Sequence, residues 1–311
     1  MARNPVQFQR GLGLAEFNSR YGREEKCHTA LIQMRWPDGF ACPRCGERKY
    51  SYTSVRRVFQ CSACRAQTTA KAGTIFHKSR TPLTKWFLAI YLLTQSKNDI
   101  AALELARQLG VKWDTAWLIK QKLMETMRQR NRVYKLKGEV QIDDAYLGGE
   151  KPGKRGRGAA NKIPFVIAVE TRKDKPVYTQ LRCVSGFTSQ EIKTYAGANI
   201  EAGACVASDG LACFAAVTEA GMKHRPVITG SGRPAVPEFK WVNIGLGNIK
   251  SAITGTCRSC RPQHAPRYLA AYEYRFNRRF ELAKMVERLA SVAAKTPPQP
   301  RQTFRSAEMS G

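Results

Sequence analysis

Apolar residues recur at helical spacing through the first 130 residues, and strand-like runs dominate only after residue 138. Leu14, Phe17 and Tyr21, then Cys27, Leu31 and Met34, repeat every three or four positions across residues 1–35. That interval lines one face of an α-helix. Trp36-Pro37-Asp38-Gly39 stops it. Residues 40–75 change character to Cys, Arg, Tyr and Thr in short strand-like runs. Pro82 opens a second helical stretch with Trp86, Phe87, Ile90 and Leu93 on its apolar face. Asn98 is a candidate cap for a helix running to Gln108, Gly110 breaks it, and another helix runs from Asp114 to Arg130.

After Gly138, EVQIDDAYL, PFVIAVET and VYTQLRCV are β-rich runs bounded by turn residues. SQEIKTYAGA predicts a helix, CVASD a short buried strand, LACFAAVTEA a second helix and RPVIT a fifth strand. Helices resume near 242–253, 266–278 and 281–293, and the Pro- and Gln-rich tail from Thr296 reads as disordered. This order, over residues 139–293, is that of an α/β or α+β domain.

Composition narrows the partners. Of 311 residues, 43% are hydrophobic, enough for a real core, yet 52 Lys and Arg face 24 Asp and Glu, a net charge of +28. A chain so basic repels itself unless polyanions neutralise it, which puts nucleic acid first among partners. No run approaches the roughly 18 apolar residues of a spanning helix, and the N-terminus lacks a signal-peptide core. The expectation is a cytoplasmic, nucleoid-associated protein with no membrane partner.

Ten cysteines without an export signal point to metal ligands or core residues rather than disulfides. Cys42-Pro-Arg-Cys45 and Cys61-Ser-Ala-Cys64 are two knuckles separated by 15 residues. Each sets two thiolates on one side of a tight turn, and together they complete a tetrahedral site for one structural Zn2+. Gly46 suits the first turn. Cys257 and Cys260, with His264 beyond, lack a second pair. Cys27, Cys183, Cys205 and Cys213 sit in apolar patterns and read as core.

A helix-turn-helix is readable in ALELARQLGVKWDTAWLIKQKL. Ala106 permits close contact, Gly110 the turn, and Val111, Ala116 and Ile119 pack the second helix back. Its outer face would then offer Lys112, Thr115, Lys120 and Lys122 to DNA, the alternative being an ordinary hairpin with solvated lysines.

Chemistry on a phosphodiester needs divalent cations held by oxygen ligands. Asp143 and Asp144 close the first strand of the α/β region, and Asp209 follows the buried CVAS strand. An Asp after an apolar strand is poorly placed for mere solubility, although Asp-Gly also forms plain turns. In WVNIGLGNIKSAITGT, Val242, Leu246, Ile249 and Ile253 form an apolar helix stripe, with Asn243 and Lys250 two turns apart on nearly one face. Asn offers an oxygen to a metal and Lys a cation to phosphate. Gly245 and Gly247 would let DNA backbone or metal approach. Residues 151–162, KPGKRGRGAANK, carry Lys154, Arg155 and Arg157 among five basic residues and no acid, a loop suited to phosphate backbone. YEYRFNRRF interleaves aromatics with arginines, either to stack on bases or to pack a helix.

Together, RWPDGFACPRCG, the second knuckle, IDDAYLGGE, GKRGRGAANKIPFVIAVET, SDGLACF, WVNIGLGNIKSAITGT and RYLAAYEYRFNRRF resemble a bacterial insertion-sequence transposase with an N-terminal zinc ribbon and an Asp-Asp-Asn set followed by Lys. The resemblance spans residues 14–293. It implies an α/β, RNase H-like mixed-sheet catalytic core of the DDE type, preceded by a zinc ribbon and a helix-turn-helix. The matching catalytic positions are Asp143, Asp209, Asn243 and Lys250, with Asp144 an adjacent, secondary acid. Departures fall at Cys257, Arg258 and Ala271, away from the implied ligands.

The expected organisation is a helical segment at 1–36, zinc ribbon at 37–78, helix-turn-helix segment at 79–137, catalytic core at 138–295 and disordered tail at 296–311. The resemblance implies two Mg2+ ions, replaceable by Mn2+, held by Asp143, Asp209 and Asn243, besides the zinc. It further implies metal-dependent cleavage and strand transfer on double-stranded DNA, at element terminal repeats and target, by a homo-oligomer. The rivals are a non-enzymatic DNA-binding regulator or inactive copy, for which Asp143 and Asp209 would be superfluous, and a nuclease that cuts without joining.

Overall fold

The computed structural model describes residues 10–148, 162–227, 237–257 and 260–305. In chain order it contains α1 (Leu14–Tyr21), α2 (Glu24–Arg35), β1 (Tyr50–Thr53), β2 (Val58–Cys61), β3 (Gln67–Thr68), α3 (Leu83–Gln95), α4 (Ala102–Leu109) and α5 (Trp113–Asn131). Then follow β4 (Glu139–Leu147), β5 (Ile163–Arg172), β6 (Lys175–Cys183), α6 (Ser189–Asn199), β7 (Cys205–Ser208) and β8 (Lys223–Pro226). Helices α7 (Lys240–Cys257), α8 (Ala265–Asn277), α9 (Met285–Ala293) and α10 (Arg301–Arg305) complete the chain. It divides into two units. One holds the described residues up to Ser96, Ala102–Thr126 and those from Phe280 onward; the other holds Lys97–Ala101 and Met127–Arg279.

In the first unit, α1 lays Phe17 on Tyr91 and Tyr21 on Phe87 of α3, at centroid distances of 4.6 and 4.8 Å. The predicted single N-terminal helix is two helices. Gly22 ends α1, its N–H donating to the Asn18 carbonyl, and α2 restarts two residues later. Pro82 precedes α3, and the Glu24 carboxylate accepts from the free N–H groups of Leu83 and Thr84 at 3.0 and 3.1 Å. One helix thereby caps the next. Antiparallel β1, β2 and β3 follow, with the Phe40 and Phe59 rings stacked at 5.2 Å beneath them. Gly110, at φ +58°, turns the chain between α4 and α5, where Leu105, Ala106, Ala116 and Ile119 are buried. Asn98 does not cap α4, which starts at Ala102.

Two boundaries differ from expectation. Residues 281–293 were expected in the catalytic core, but α9 buries Met285, Val286, Leu289 and Ala290 and packs against α2 and α3 of the first unit. The tail from Thr296 is not wholly without structure: α10 buries Phe304, and Arg301 pairs with Asp114 at 2.7 Å. One buried aromatic and one ion pair outweigh the local Pro and Gln composition.

The second unit is a five-stranded sheet in the order β6-β5-β4-β7-β8. Its first three strands pair antiparallel, and β4, β7 and β8 run parallel. Strand β5 shows why both faces are covered. Val166 and Ala168 join Ile192, Tyr195, Phe214 and Val217 on one side, while Phe165, Ile167 and Val169 meet Val242, Leu246, Ile249 and Leu269 on the other. Period-two alternation of apolar residues thus buries the strand twice. This mixed sheet, with helices on both faces and α7 late in the chain, has the α/β mixed-sheet architecture expected from the resemblance. LACFAAVTEA forms a 3-10 segment (Ala212–Ala220) rather than an α-helix, and the fifth strand begins at Lys223, ahead of RPVIT.

Candidate active site

Strands β4 and β7 pair in parallel through Glu139 with Cys205, Val140 with Val206 and Gln141 with Ala207. The ladder ends there. Asp143 and Asp209 each stand two residues past that last pair. Asp209 directly follows β7, where open α/β sheets form their crevices. Asp143 and Asp144 do not close their strand as expected, because β4 continues to Leu147 in its pairing with β5. Asp143, Asp144 and Asp209 bring carboxylate oxygens within 4.8 Å of one another. Asp144 alternates to the opposite face of the strand, yet its carboxylate joins the cluster. The Asp144 N–H donates to Asp143 Oδ1 at 2.8 Å, and the Leu211 N–H to Asp209 Oδ1 at 3.1 Å. Ser208 Oγ meets His224 Nε2 at 2.8 Å, tying the end of β7 to β8.

Burial pushes the Asp143 carboxyl up from 3.8 to about 7. The neighbouring carboxylates of Asp144 and Asp209 add to the rise, whereas the Asp144 N–H and the Lys250 ammonium oppose it. Three crowded acids with one strongly raised proton affinity are a site short of positive charge. Their all-oxygen donor set suits a hard divalent cation such as Mg2+ or Mn2+.

Helix α7 lies beside this cluster. Gln141 Oε1 accepts from the backbone N–H groups of Trp241 and Val242 at 3.0 and 3.1 Å, and Trp241 Nε1 donates to the Asp174 carbonyl at 3.1 Å. Val242, Leu246 and Ile249 are buried as the stripe predicted, and Ile253 is half-buried. Lys250 is exposed and close enough to act on Asp143. Asn243 is exposed on the first turn of α7 and makes no hydrogen bond to the three carboxylates. Gly245 does not leave room for DNA or metal; it is buried against Ile167. Gly247 alone remains open, with nothing within 4 Å of a Cβ built there. Gln141 carried no signal in the sequence beyond its place two residues before Asp143.

Among the described residues, the other cluster of metal-binding type is Cys42, Cys45, Cys61 and Cys64. Cys42 and Cys64 sulfurs lie 3.6 Å apart, as do Cys45 and Cys61. The two turns are alike. Gly46 and Arg65, each four residues past the first Cys of its knuckle, take positive φ of 78° and 57° and donate back to the Cys42 and Cys61 carbonyls. Backbone N–H groups of Arg44 and Cys45 bring the Cys42 thiol down to about 6. Four soft sulfur donors this close fit Zn2+. Cys257, Cys260 and His264 form no such cluster among the described residues, and Cys27 and Cys213 are buried as expected, Cys183 and Cys205 only half so.

The proposed DNA-facing side chains divide. Lys112 is exposed and Thr115 half-buried, but Lys120 is 1% exposed and Lys122 sends its ammonium to the Ile75 carbonyl at 3.3 Å. The outer-face assignment therefore fails for Lys120 and Lys122: α5 is buried along residues 119–127 on more than its apolar face. Trp113, 49% exposed and stacked on Trp117, occupies the first turn instead. Lys154, Arg155 and Arg157 lie outside the described residues. Lys162, the last of that basic run, sits over the Tyr146 ring at 6.0 Å. In YEYRFNRRF, Glu273, Tyr274 and Arg275 are buried, and Arg278 and Arg279 cover the rings of Tyr274 and Phe276, so these residues pack.

Residues 135–277 match the family described as ISXO2-like transposase domain, and residues 22–67 match the transposase zinc-ribbon domain. A protein in transposable element ISH50 of Halobacterium salinarum is 30% identical over 164 residues, covering 47% of this chain and 54% of that protein. The chain thus spans about half the length of that relative. Among solved structures, similarity extends to the simian T-cell lymphotropic virus intasome in complex with PP2A regulatory subunit B56 gamma, at 12% identity and TM-score 0.29, over 55% of this chain and 63% of that one. It extends also to a pre-cleavage Mos1 transpososome, at 11% identity and TM-score 0.26, over 65% and 75%.

Proposed function

From a chain that carries a transposase zinc ribbon at residues 22–67 and an ISXO2-like transposase domain at residues 135–277, we propose a DNA transposase that binds the ends of an insertion sequence, cuts them and joins them to target DNA. The observation that carries this reading is the convergence of Asp143 and Asp209 from adjacent parallel strands, with Asp144 beside them and Lys250 acting on the cluster. A DNA-binding protein without chemistry has no use for three half-buried, mutually repelling acids gathered within 4.8 Å of one another. Their repulsion is the sort of local cost retained at functional sites.

Asp143 and Asp209, completed by Asn243, would hold divalent cations, Mg2+ or Mn2+. Such ions supply activation of the attacking oxygen and stabilisation of the leaving one. The chain's own residues do the rest. Asp143 would hold a cation in its ionised form, Asn243 would add an uncharged oxygen, and Lys250 would set an ammonium where the phosphate charge must be offset. The net charge of +28 draws the duplex in, with Lys112 just before α5, Thr115 on it, and Lys154, Arg155 and Arg157 of the basic run as contacts. The zinc ribbon supports binding rather than chemistry. The protein works as a homo-oligomer on paired DNA ends.

The test is incubation with DNA carrying the flanking element ends and Mg2+, assayed for nicking and for strand transfer. Both products are expected. Nicking without joining would make it a nuclease, and end binding with neither product would make it a regulator.

A further inference from the structure

We propose that Gln141 is a positioning residue for the cation site: its side-chain carbonyl clamps the first turn of α7 to β4, and so sets where Asn243 stands relative to Asp143 and Asp209. The inference rests on the reading of Asn243 as the third ligand.

The first N–H groups of an α-helix have no partner within it. Helices usually satisfy them with a Ser, Thr, Asp or Asn just before the first turn. At α7 that place is held by Phe239, and the first turn contains no acid. The cap comes instead from another element, since Gln141 Oε1 takes both the Trp241 and the Val242 N–H, at 3.0 and 3.1 Å. Gln141 is 8% exposed, so water does not readily replace it.

The position of this acceptor is informative. Gln141 is the last residue of β4 paired with β7, and Asp143 lies two residues on, on the same face of the strand. Asn243 directly follows Val242. One side chain therefore joins, through two hydrogen bonds, the strand that carries the first acid and the helix turn that carries the amide. A buried glutamine meeting only its own hydrogen-bonding needs would act on stability alone; a positioning residue acts on the site as well. The acceptor oxygen is what matters, so glutamate should substitute, its charge favoured at a helix N-terminus.

The test compares Gln141→Met, which keeps the volume and removes the acceptor, with Gln141→Glu, in the full chain. Gln141→Asn, which withdraws the amide by one methylene, stands in should the methionine variant fail to fold. Amide hydrogen exchange at Trp241 and Val242 is measured without metal, then Mn2+ binding, then nicking of end DNA at matched occupancy. Gln141→Met should exchange about tenfold faster at those two amides, the loss of one modest hydrogen bond. It should bind Mn2+ and nick about tenfold less well, with DNA affinity and exchange in β5 unchanged. Gln141→Glu should restore all three.

Parent-like exchange in Gln141→Met overturns the clamp. Faster exchange with parent-like Mn2+ binding and nicking overturns the positioning role, as does a Gln141→Glu variant that behaves like Gln141→Met. Failure of the underlying reading is separately visible. Asn243→Ala would then bind Mn2+ and nick like the parent, which removes the positioning role whatever the exchange rates show.

Discussion

A Cβ added to Gly245 would lie 2.9 Å from Ile167 Cδ1, and Ile167 is the residue of β5 paired with Asp143. The glycine sets how closely α7 approaches the sheet beside the first acid. Gly245→Ala gains about 1 kcal/mol of helix propensity and loses about as much in pressing the isoleucine tip, so its stability should change little. Gly245→Leu should lose about 2–3 kcal/mol by overpacking and nick poorly. Gly247→Ala, with open space around it, should gain about 0.5–1 kcal/mol. Urea midpoints order the three, and equal stabilisation by the two alanines would refute the close packing.

Purified protein should hold about one equivalent of zinc, from the logic of a closed four-ligand site. Cys61→Ser should lose it and Cys257→Ser should keep it. Metal analysis of the two variants decides, and full zinc in Cys61→Ser would remove the ribbon assignment.

The Asp143 carboxyl, raised by burial from 3.8 to about 7, ties stability and metal binding to pH. Between those values the native protein holds more protons than the unfolded chain, so the metal-free protein should lose stability as pH rises from about 4 toward 7. Asp143→Asn should lack that slope and exceed the parent in thermal midpoint above pH 7. Mg2+ affinity should climb over the same window, with proton release, because the cation binds the ionised acid. Calorimetry in buffers of different ionisation enthalpy detects that release; its absence below pH 7 would contradict the assignment.

Burial separates Lys112, just before α5, from Lys120 within it. Lys112→Ala should weaken DNA binding and flatten the dependence of log affinity on log salt. Lys120→Ala should lower the unfolding midpoint and leave the salt slope alone, since the side chain is interior. Neutralising Lys154, Arg155 and Arg157 together should flatten the slope further. Filter binding across a salt series reads all three, and a flattened slope in Lys120→Ala would restore it to the surface.

Much of this was legible in the chain, for identifiable reasons. β-rich runs bounded by turn residues marked β4, β5 and β6, and β5 is nearly continuously apolar because it is buried on both faces. The cysteine spacing gave the ribbon, because the knuckle is a local turn. Other features depend on distant partners. Glu24 caps α3 and Gln141 caps α7 across long stretches of chain, and no local pattern announces such a cap. Lys120 and Lys122 read as surface residues because charge outweighs position in a sequence, whereas α5 is buried along much of its length. Gly245 read as an opening, yet its missing side chain admits Ile167. The acidic cluster fell between these cases: the residues were identifiable, but the presence of the Asp144 carboxylate within it required the fold.

The most direct measurement is strand nicking of end DNA by Asp143→Ala and Asp209→Ala, with Mg2+ present and DNA occupancy matched to the parent. Both variants should bind the ends nearly as the parent does and leave them uncut, because each lacks a charged ligand of the cations. Asn243→Asp should keep part of the activity that Asn243→Ala loses, since a carboxylate can replace the amide oxygen. Cutting by Asp143→Ala and Asp209→Ala at the parent's rate would contradict a cation site built on these two strands.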